Sequence, residues 1–137
     1  MPCEGERTLP QQLNILIVED EYFIADELAR AVGEEGITVI GPAPTVDQAR
    51  ILAESNQIDF VLLDLNLGGE DASVLADWFR ARNTPVTIVS GYERAELPAS
   101  LAALPFIQKP MSRSSFVQMM DALRDRQSSG ADRNTLL

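Results

Sequence analysis

The sequence predicts an α/β protein built on one parallel sheet with helices on both faces. Two observations carry that reading. Five short runs rich in Val, Ile and Leu recur along the chain, and each is followed by a stretch with apolar residues at helical spacing. Near-continuously apolar strands that alternate with helices belong to a parallel sheet covered on both sides.

The elements follow in order. Residues 1–12 are polar, carry two prolines and read as a flexible N-terminal extension. Leu13 to Val18 (LNILIV) is an apolar, β-branched run and reads as the first strand. Asp20 is placed to cap the helix that follows, in which Ile24, Leu28, Ala31 and Val32 repeat at helical spacing before Gly36. Ile37 to Ile40 (ITVI) is the second strand, closed by GPAP as a turn. Val46, Ala49, Ile51, Leu52 and Ala53 suit a second helix, and Ile58 to Leu63 (IDFVLL) a third strand.

Residues 71–82 give a third helix with Val74, Leu75, Trp78 and Phe79 on one side. Pro85 to Val89 (PVTIV) is the fourth strand and ends at Ser90-Gly91. A weaker, alanine-rich helix covers 93–103, and Pro105 to Gln108 (PFIQ) is a short fifth strand ended by Lys109-Pro110. Phe116, Met119, Met120 and Leu123 mark a last amphipathic helix over 113–125, and a polar, disordered tail is expected over 127–137. The expected architecture is a flavodoxin-like (βα)5 doubly wound fold over 13–126, with five parallel strands in the order 2-1-3-4-5.

The bulk properties bound the function. The 137 residues make one ordinary domain, and 45% hydrophobic with 23% charged residues is a globular balance. A net charge of −10 disfavours nucleic acid and anionic membranes and favours a cation or a basic protein surface. Cys3 is the only cysteine, so no internal disulfide forms, which fits a cytoplasmic protein. No run approaches a membrane span, and MPCEGERTLPQQ has no apolar signal region. The absence of histidine excludes histidine metal sites, Ser-His-Asp catalysis and phosphate donation from a histidine of this chain. No GxxxxGK[ST] occurs, which excludes a P-loop NTPase.

In such sheets the functional site lies beyond the C-terminal ends of the strands. Glu19, Asp20 and Glu21 follow the first strand, Asp64 the third, Ser90 the fourth, and Lys109 with Pro110 the fifth. The strand-end geometry should bring Asp64 to the rim of the sheet rather than into the core. Three carboxylates brought together would repel, and a hard divalent cation such as Mg²⁺ relieves that. Lys109 adds a positive charge and Ser90 a hydroxyl donor. A nucleophilic carboxylate, a metal, a cation and a hydroxyl form a site suited to a phosphoryl group. Each piece alone has a structural reading, as helix-start charge, an Asx turn, an ordinary turn or a surface lysine. Four complementary positions at four strand ends make the case together.

The motifs LIVEDE, VLLDLNL, VSGY and FIQKP, in this order over residues 13–126, resemble the receiver domain of two-component response regulators. The resemblance implies the following roles. Asp64 matches the phosphoacceptor, and Glu19 and Asp20 the acidic pair that holds Mg²⁺, with the backbone carbonyl of Asn66 as a further ligand. Ser90 matches the switch hydroxyl, Lys109 the lysine on the phosphoryl group, Pro110 a cis proline and Phe106 the switch aromatic. PVTIVSGYE, NLGGE and GPAPTVDQA are similar to the FATGUY receiver subgroup, whose loop tyrosine matches Tyr92; this chain has IVS where the subgroup name has FAT. Glu19 stands where Asp is commoner, Phe106 lacks the hydroxyl of a tyrosine switch, and Met111 stands where Phe is common.

The function so implied is that of a single-domain, cytoplasmic phosphoacceptor rather than an enzyme. A phosphohistidine of a histidine kinase or histidine phosphotransfer protein would give its phosphoryl group to Asp64. Ser90, Phe106 and Tyr92 would then shift the face of the fourth helix, fifth strand and fifth helix toward a downstream protein, with no nucleic acid or membrane contacted directly. Asn66 and Tyr92, each two residues past a site residue, would set the lifetime of the phosphoaspartate. The rival is a Toprim-like or other Mg²⁺-dependent phosphoryl-transfer enzyme, which wants Asp-x-Asp where this chain has Asp64 and Asn66.

Overall fold

The computed structural model describes residues 13–91 and 96–128. In chain order the elements are β1 (Asn14–Val18), α1 (Tyr22–Glu34), β2 (Thr38–Ala43), α2 (Val46–Ser55) and β3 (Phe60–Leu63). A small hairpin of β4 (Asn66–Leu67) and β5 (Glu70–Asp71) leads into α3 (Ser73–Ala81). Then come β6 (Val86–Ser90), α4 (Ala99–Ala102), β7 (Phe106–Gln108) and α5 (Arg113–Ser128). The main sheet has five strands in the order β2-β1-β3-β6-β7, all parallel. Counting the sheet strands alone, this is the expected 2-1-3-4-5.

Alternation along the strands explains why both faces are apolar. Ile15 and Ile17 of β1 and Leu62 of β3 pack with Leu28 and Val32 of α1 and Met120 and Leu123 of α5. Leu16 and Val18 of β1 and Val61 and Leu63 of β3 pack on the other side with Val46 and Ala49 of α2 and Leu75 and Phe79 of α3. A strand buried on both faces has no position for a charged side chain until it leaves the sheet, and the only polar one buried in mid-strand among the described residues is Thr87 of β6. The charged residues are therefore pushed to the strand ends, where they meet.

Five local expectations change. The GPAP stretch is not a closing turn: β2 continues through it to Ala43. Leu16 pairs with Ile40 and Val18 with Ala43, so β2 carries one extra residue there, a bulge. Gly41 makes this fit, with φ +94°, a cis bond to Pro42, and a position where a Cβ would sit 2.8 Å from the Ala43 nitrogen. Asp20 does not cap α1. The helix starts one residue later, with Glu21 at the cap position making no side-chain cap bond, and the Asp20 carboxylate lies instead with those of Glu19 and Asp64. Ile51 and Val74 face solvent rather than the core. The last helix runs to Ser128, past the expected start of the tail at Gln127. Of the helix expected over 93–103, the described part is α4, a single turn anchored by buried Leu101.

Candidate functional site

The site forms where β1, β3, β6 and β7 end. Each strand hands its last backbone hydrogen bond to the residue just beyond it. Asp64 N–H donates to the Val18 carbonyl (2.9 Å), Glu19 N–H to the Ala43 carbonyl (3.0 Å) and Lys109 N–H to the Ser90 carbonyl (2.7 Å). The backbone of three site residues is thus held by the sheet itself, which is rigid support for a reacting group.

Asp64 lies deeper than the rim position expected for it, at 6% exposure. It is compensated at both oxygens. Oδ2 accepts from the Lys109 ammonium at 2.9 Å and Oδ1 from the Asn66 backbone N–H at 3.1 Å. Lys109 also lies 2.9 Å from Glu19 Oε1 and 3.6 Å from Glu21 Oε1. Glu19 Oε1 is buried and accepts no hydrogen bond, so its contact with Lys109 is ionic without donor alignment. The other carboxylate oxygen, Oε2, accepts the Glu21 N–H at 3.1 Å.

Asp64, Lys109 and Glu21 line an open cleft of about 330 Å³ with Asp20, Asn66 and Ser90, while Glu19 is buried and does not line it. One wall is the β4–β5 hairpin. Asn66 Oδ1 accepts the Gly69 N–H at 2.9 Å and closes the turn. Gly68, at φ +60°, brings the hairpin backbone so close that a Cβ would meet Asp20 Oδ2 at 3.5 Å. The hairpin was not visible in the sequence as strand, because two-residue strands carry no periodicity; NLGG signals only the turn.

Carboxylate oxygens of Glu19, Asp20 and Asp64 all lie within 4.8 Å of one another. One ammonium faces four acids here, counting Glu21, so negative charge is in excess. Burial pushes Glu19 up to about 7, with the Asp64 charge adding to it and Lys109 and the Glu21 amide opposing it. For Lys109 burial pulls downward, but its bond to Asp64 and its ionic contact with Glu19 outweigh that, and its value ends above the ordinary one. A hard divalent cation fits this donor set: three carboxylates with oxygens within 4.8 Å of one another, one of them a buried oxygen that accepts no hydrogen bond and has only an ionic contact with Lys109.

The sign of the pH effect follows. Glu19 binds its proton more tightly in the folded chain than in the unfolded one, so it favours folding at low pH. That contribution is lost as pH rises from about 4.5 toward 7. In metal-free buffer, Glu19→Gln is expected to flatten this fall and to exceed the parent in stability at pH 8. Urea midpoints at pH 5 and 8 check it; an unchanged pH slope in the variant would show that Glu19 is not the group responsible.

Of the residues expected at the site, Glu19, Asp20, Asp64, Asn66, Ser90 and Lys109 are brought together. The Lys109–Pro110 peptide is cis. Phe106 lies outside the cleft on β7, half-buried against the α2–α3 side of the core. Tyr92, on which the subgroup resemblance leans, lies outside the described residues. Sequence reasoning gave Glu21 no role beyond charge, yet it reaches Lys109. Its proximity depends on where α1 begins, which the sequence pattern placed one residue too early.

Comparison with known proteins agrees with this geometry. The family model for the response regulator receiver domain matches residues 15–121. The sensory transduction protein RegX3 of Mycolicibacterium smegmatis is 32% identical over 90% of this chain and 57% of its own length. The phyllosphere-induced regulator PhyR of Methylorubrum extorquens is 33% identical over 81% of this chain and 46% of its own length. The chain thus spans about half the length of these curated relatives. SdrG of Sphingomonas melonis Fr1 superposes with a TM-score of 0.72 at 32% identity, covering 82% of this chain and 96% of that one, and SdrG has also been solved in a BeF3-activated conformation. The Toprim-like alternative is not favoured by any of these likenesses. Five parallel strands in receiver order, an acidic cleft around Asp64 and Lys109, and a family match over most of its length place the chain in the response regulator receiver domain family.

Proposed function

We propose that this chain accepts a phosphoryl group on Asp64 from a phosphohistidine of a histidine kinase or histidine phosphotransfer protein, and passes the signal on through protein contacts. The observation that carries this reading is the state of Asp64. It is a buried carboxylate at the floor of an open cleft, with one oxygen on Lys109 and the other on a backbone amide.

That pairing fixes the carboxylate in rotation before any donor arrives, which removes an entropic cost from the attack. A carboxylate oxygen attacks phosphorus as the P–N bond breaks, and the electron pair returns to the donor imidazole. Lys109 is already in place to stay with the phosphoryl oxygens as charge moves onto them. Glu19, Asp20, Asp64 and the Asn66 carbonyl would hold Mg²⁺, which supplies charge neutralisation at the transferring group. Ser90, on the last residue of β6, then offers its hydroxyl to the acyl phosphate. Phe106, and Tyr92 with it, repack and bias the face made by α4, β7 and α5 toward a downstream protein.

The donor must cover the rim of the cleft. Tyr22 and Phe23 follow Glu21 directly and are 74% and 84% exposed, an unusual cost for two aromatic rings unless a partner covers them. We read the chain as acting as a single-domain regulator; it covers 96% of the solved SdrG chain and about half the length of the curated relatives. Among the described residues no helix is long and apolar enough to cross a membrane, and we place the protein in the cytoplasm. Incubation with acetyl phosphate tests the assignment: acid-stable, hydroxylamine-labile label should appear with Mg²⁺ and fail with EDTA. Label that ignores the metal would sink it.

The Asn66 side chain is tied to Gly69 in the turn, which sets its amide at the cleft wall. Asn66→Ala is expected to change the phosphoaspartate half-life several-fold, on the order of 1 kcal/mol in barrier. Tyr92→Ala should act on the same rate. Decay of label after donor removal is the measurement, and parental half-lives in both variants would exclude this control.

A further inference from the structure

We propose that the α2–α3 surface around Trp78 is a docking site for an acidic, amphipathic segment of a partner protein. Two arginines converge there on one indole. The Arg82 guanidinium carbon lies 4.2 Å from the Trp78 ring centre and that of Arg50 5.9 Å away. The ring itself is fixed from behind: it packs half-buried on the core and meets Phe79 edge-on at 5.0 Å.

What matters is how these guanidiniums are satisfied. A guanidinium stacked on a ring uses its face and leaves its in-plane N–H fork free for a carboxylate. Neither Arg50 nor Arg82 has an ion pair among the described residues, whereas Arg30 and Arg80 each pair with an Asp on their own helix. Glu54 stands one turn beyond Arg50 on α2, and still Arg50 turns to the indole instead. The Arg50 Nε is buried with no hydrogen-bond partner, so an outside carboxylate would meet Arg50 at its terminal nitrogens. In a chain with 21 acidic and 11 basic residues, two arginines held at one indole without carboxylate partners among the described residues mark a place where the counter-charge comes from outside.

The neighbourhood selects the partner. Val74 lies one turn before Trp78 on the same side of α3 and is 48% exposed, so the patch offers an apolar contact beside the two forks. Carboxylates spaced around an apolar residue, as on an acidic amphipathic helix, match that arrangement. The net charge of −10 opposes nucleic acid approaching the same arginines. None of these four residues lines the Asp64 cleft, so the surface is separate from the phosphoacceptor site.

Trp78 is the only tryptophan, so its fluorescence reports on this patch alone. The probes are a short Glu/Leu peptide in amphipathic helical order and its Lys/Leu counterpart. The full chain should show a saturable fluorescence change with the Glu/Leu peptide, weakened by added salt, and none with the Lys/Leu peptide. Arg50→Gln/Arg82→Gln should weaken binding about tenfold or more, while Arg50→Lys/Arg82→Lys, which keeps charge without the fork, should recover only part of it. Far-UV circular dichroism and acetyl phosphate labelling, both unchanged, show that the variants are folded. Binding that is absent in the parent chain, equal for both peptides or undiminished in the Gln pair overturns the proposal. So does self-association of the parent chain on sedimentation that the Gln pair abolishes, since the occupant would then be a second copy.

Discussion

Asp64→Asn is expected to abolish labelling by acetyl phosphate, from near-stoichiometric to background, with the fold intact. The amide oxygen of Asn is a poor nucleophile and cannot form the acyl phosphate. The substitution is nearly isosteric, and it keeps an oxygen for the Asn66 N–H that Oδ1 now accepts. It also removes one of the charges that push Glu19 up. Stability should therefore stay within about 1 kcal/mol of the parent or rise. Intact mass after donor treatment reads the label, and a urea titration reads the fold. Full label on the variant would move the acceptor elsewhere, and loss of the fold would show that Asp64 is a structural partner of Lys109 first.

Lys109→Ala is expected to fail in both respects. Its ammonium is the one basic group that reaches Asp64, Glu19 and Glu21 among the described residues. Removing one partner of a buried ionic cluster leaves the others uncompensated, a loss of about 3 kcal/mol or more at pH 8. The loss should shrink toward pH 5, because Glu19 takes up a proton through about 7 and relieves part of the repulsion. Labelling by acetyl phosphate should fall about 100-fold from the lost charge stabilisation alone. Lys109→Arg should recover much of the stability and less of the rate, since the planar fork does not occupy the position of a compact ammonium. Equal stability of the Ala variant and the parent at both pH values would refute the electrostatic account. Added Mg²⁺ should offset part of the stability loss, because a cation among the same carboxylates restores the balance of charge.

The order of strands, the layers and the edge on which the site lies could be read from the chain. Five apolar runs alternating with helical stretches leave few other ways to bury both faces of every strand. The identities at the strand ends, Glu19, Asp20, Asp64, Ser90 and Lys109, could be read for the same reason: a strand buried on both faces releases its charged residues only where it ends. What escaped was local. GPAP carries every mark of a turn, yet β2 passes through it, because the β1 ladder resumes at Ala43 and holds the strand in place. Asp20 carries every mark of a cap, yet its carboxylate lies with those of Glu19 and Asp64, beside the hairpin at Gly68.

Composition and periodicity thus determined the sheet, its covering and the chemistry gathered at one edge. Tertiary structure alone decided how that chemistry is balanced. Lys109 is 45 residues from Asp64 in the chain, and no local pattern tells that its ammonium lies 2.9 Å from both Asp64 and Glu19. Nor does any pattern show that Arg50 of one helix turns away from Glu54 to lie near an indole of the next. Distances between side chains of remote segments depend on how the layers close. A one-dimensional pattern specifies which face a residue takes, whereas its partner across that face is fixed only once the sheet has been wound.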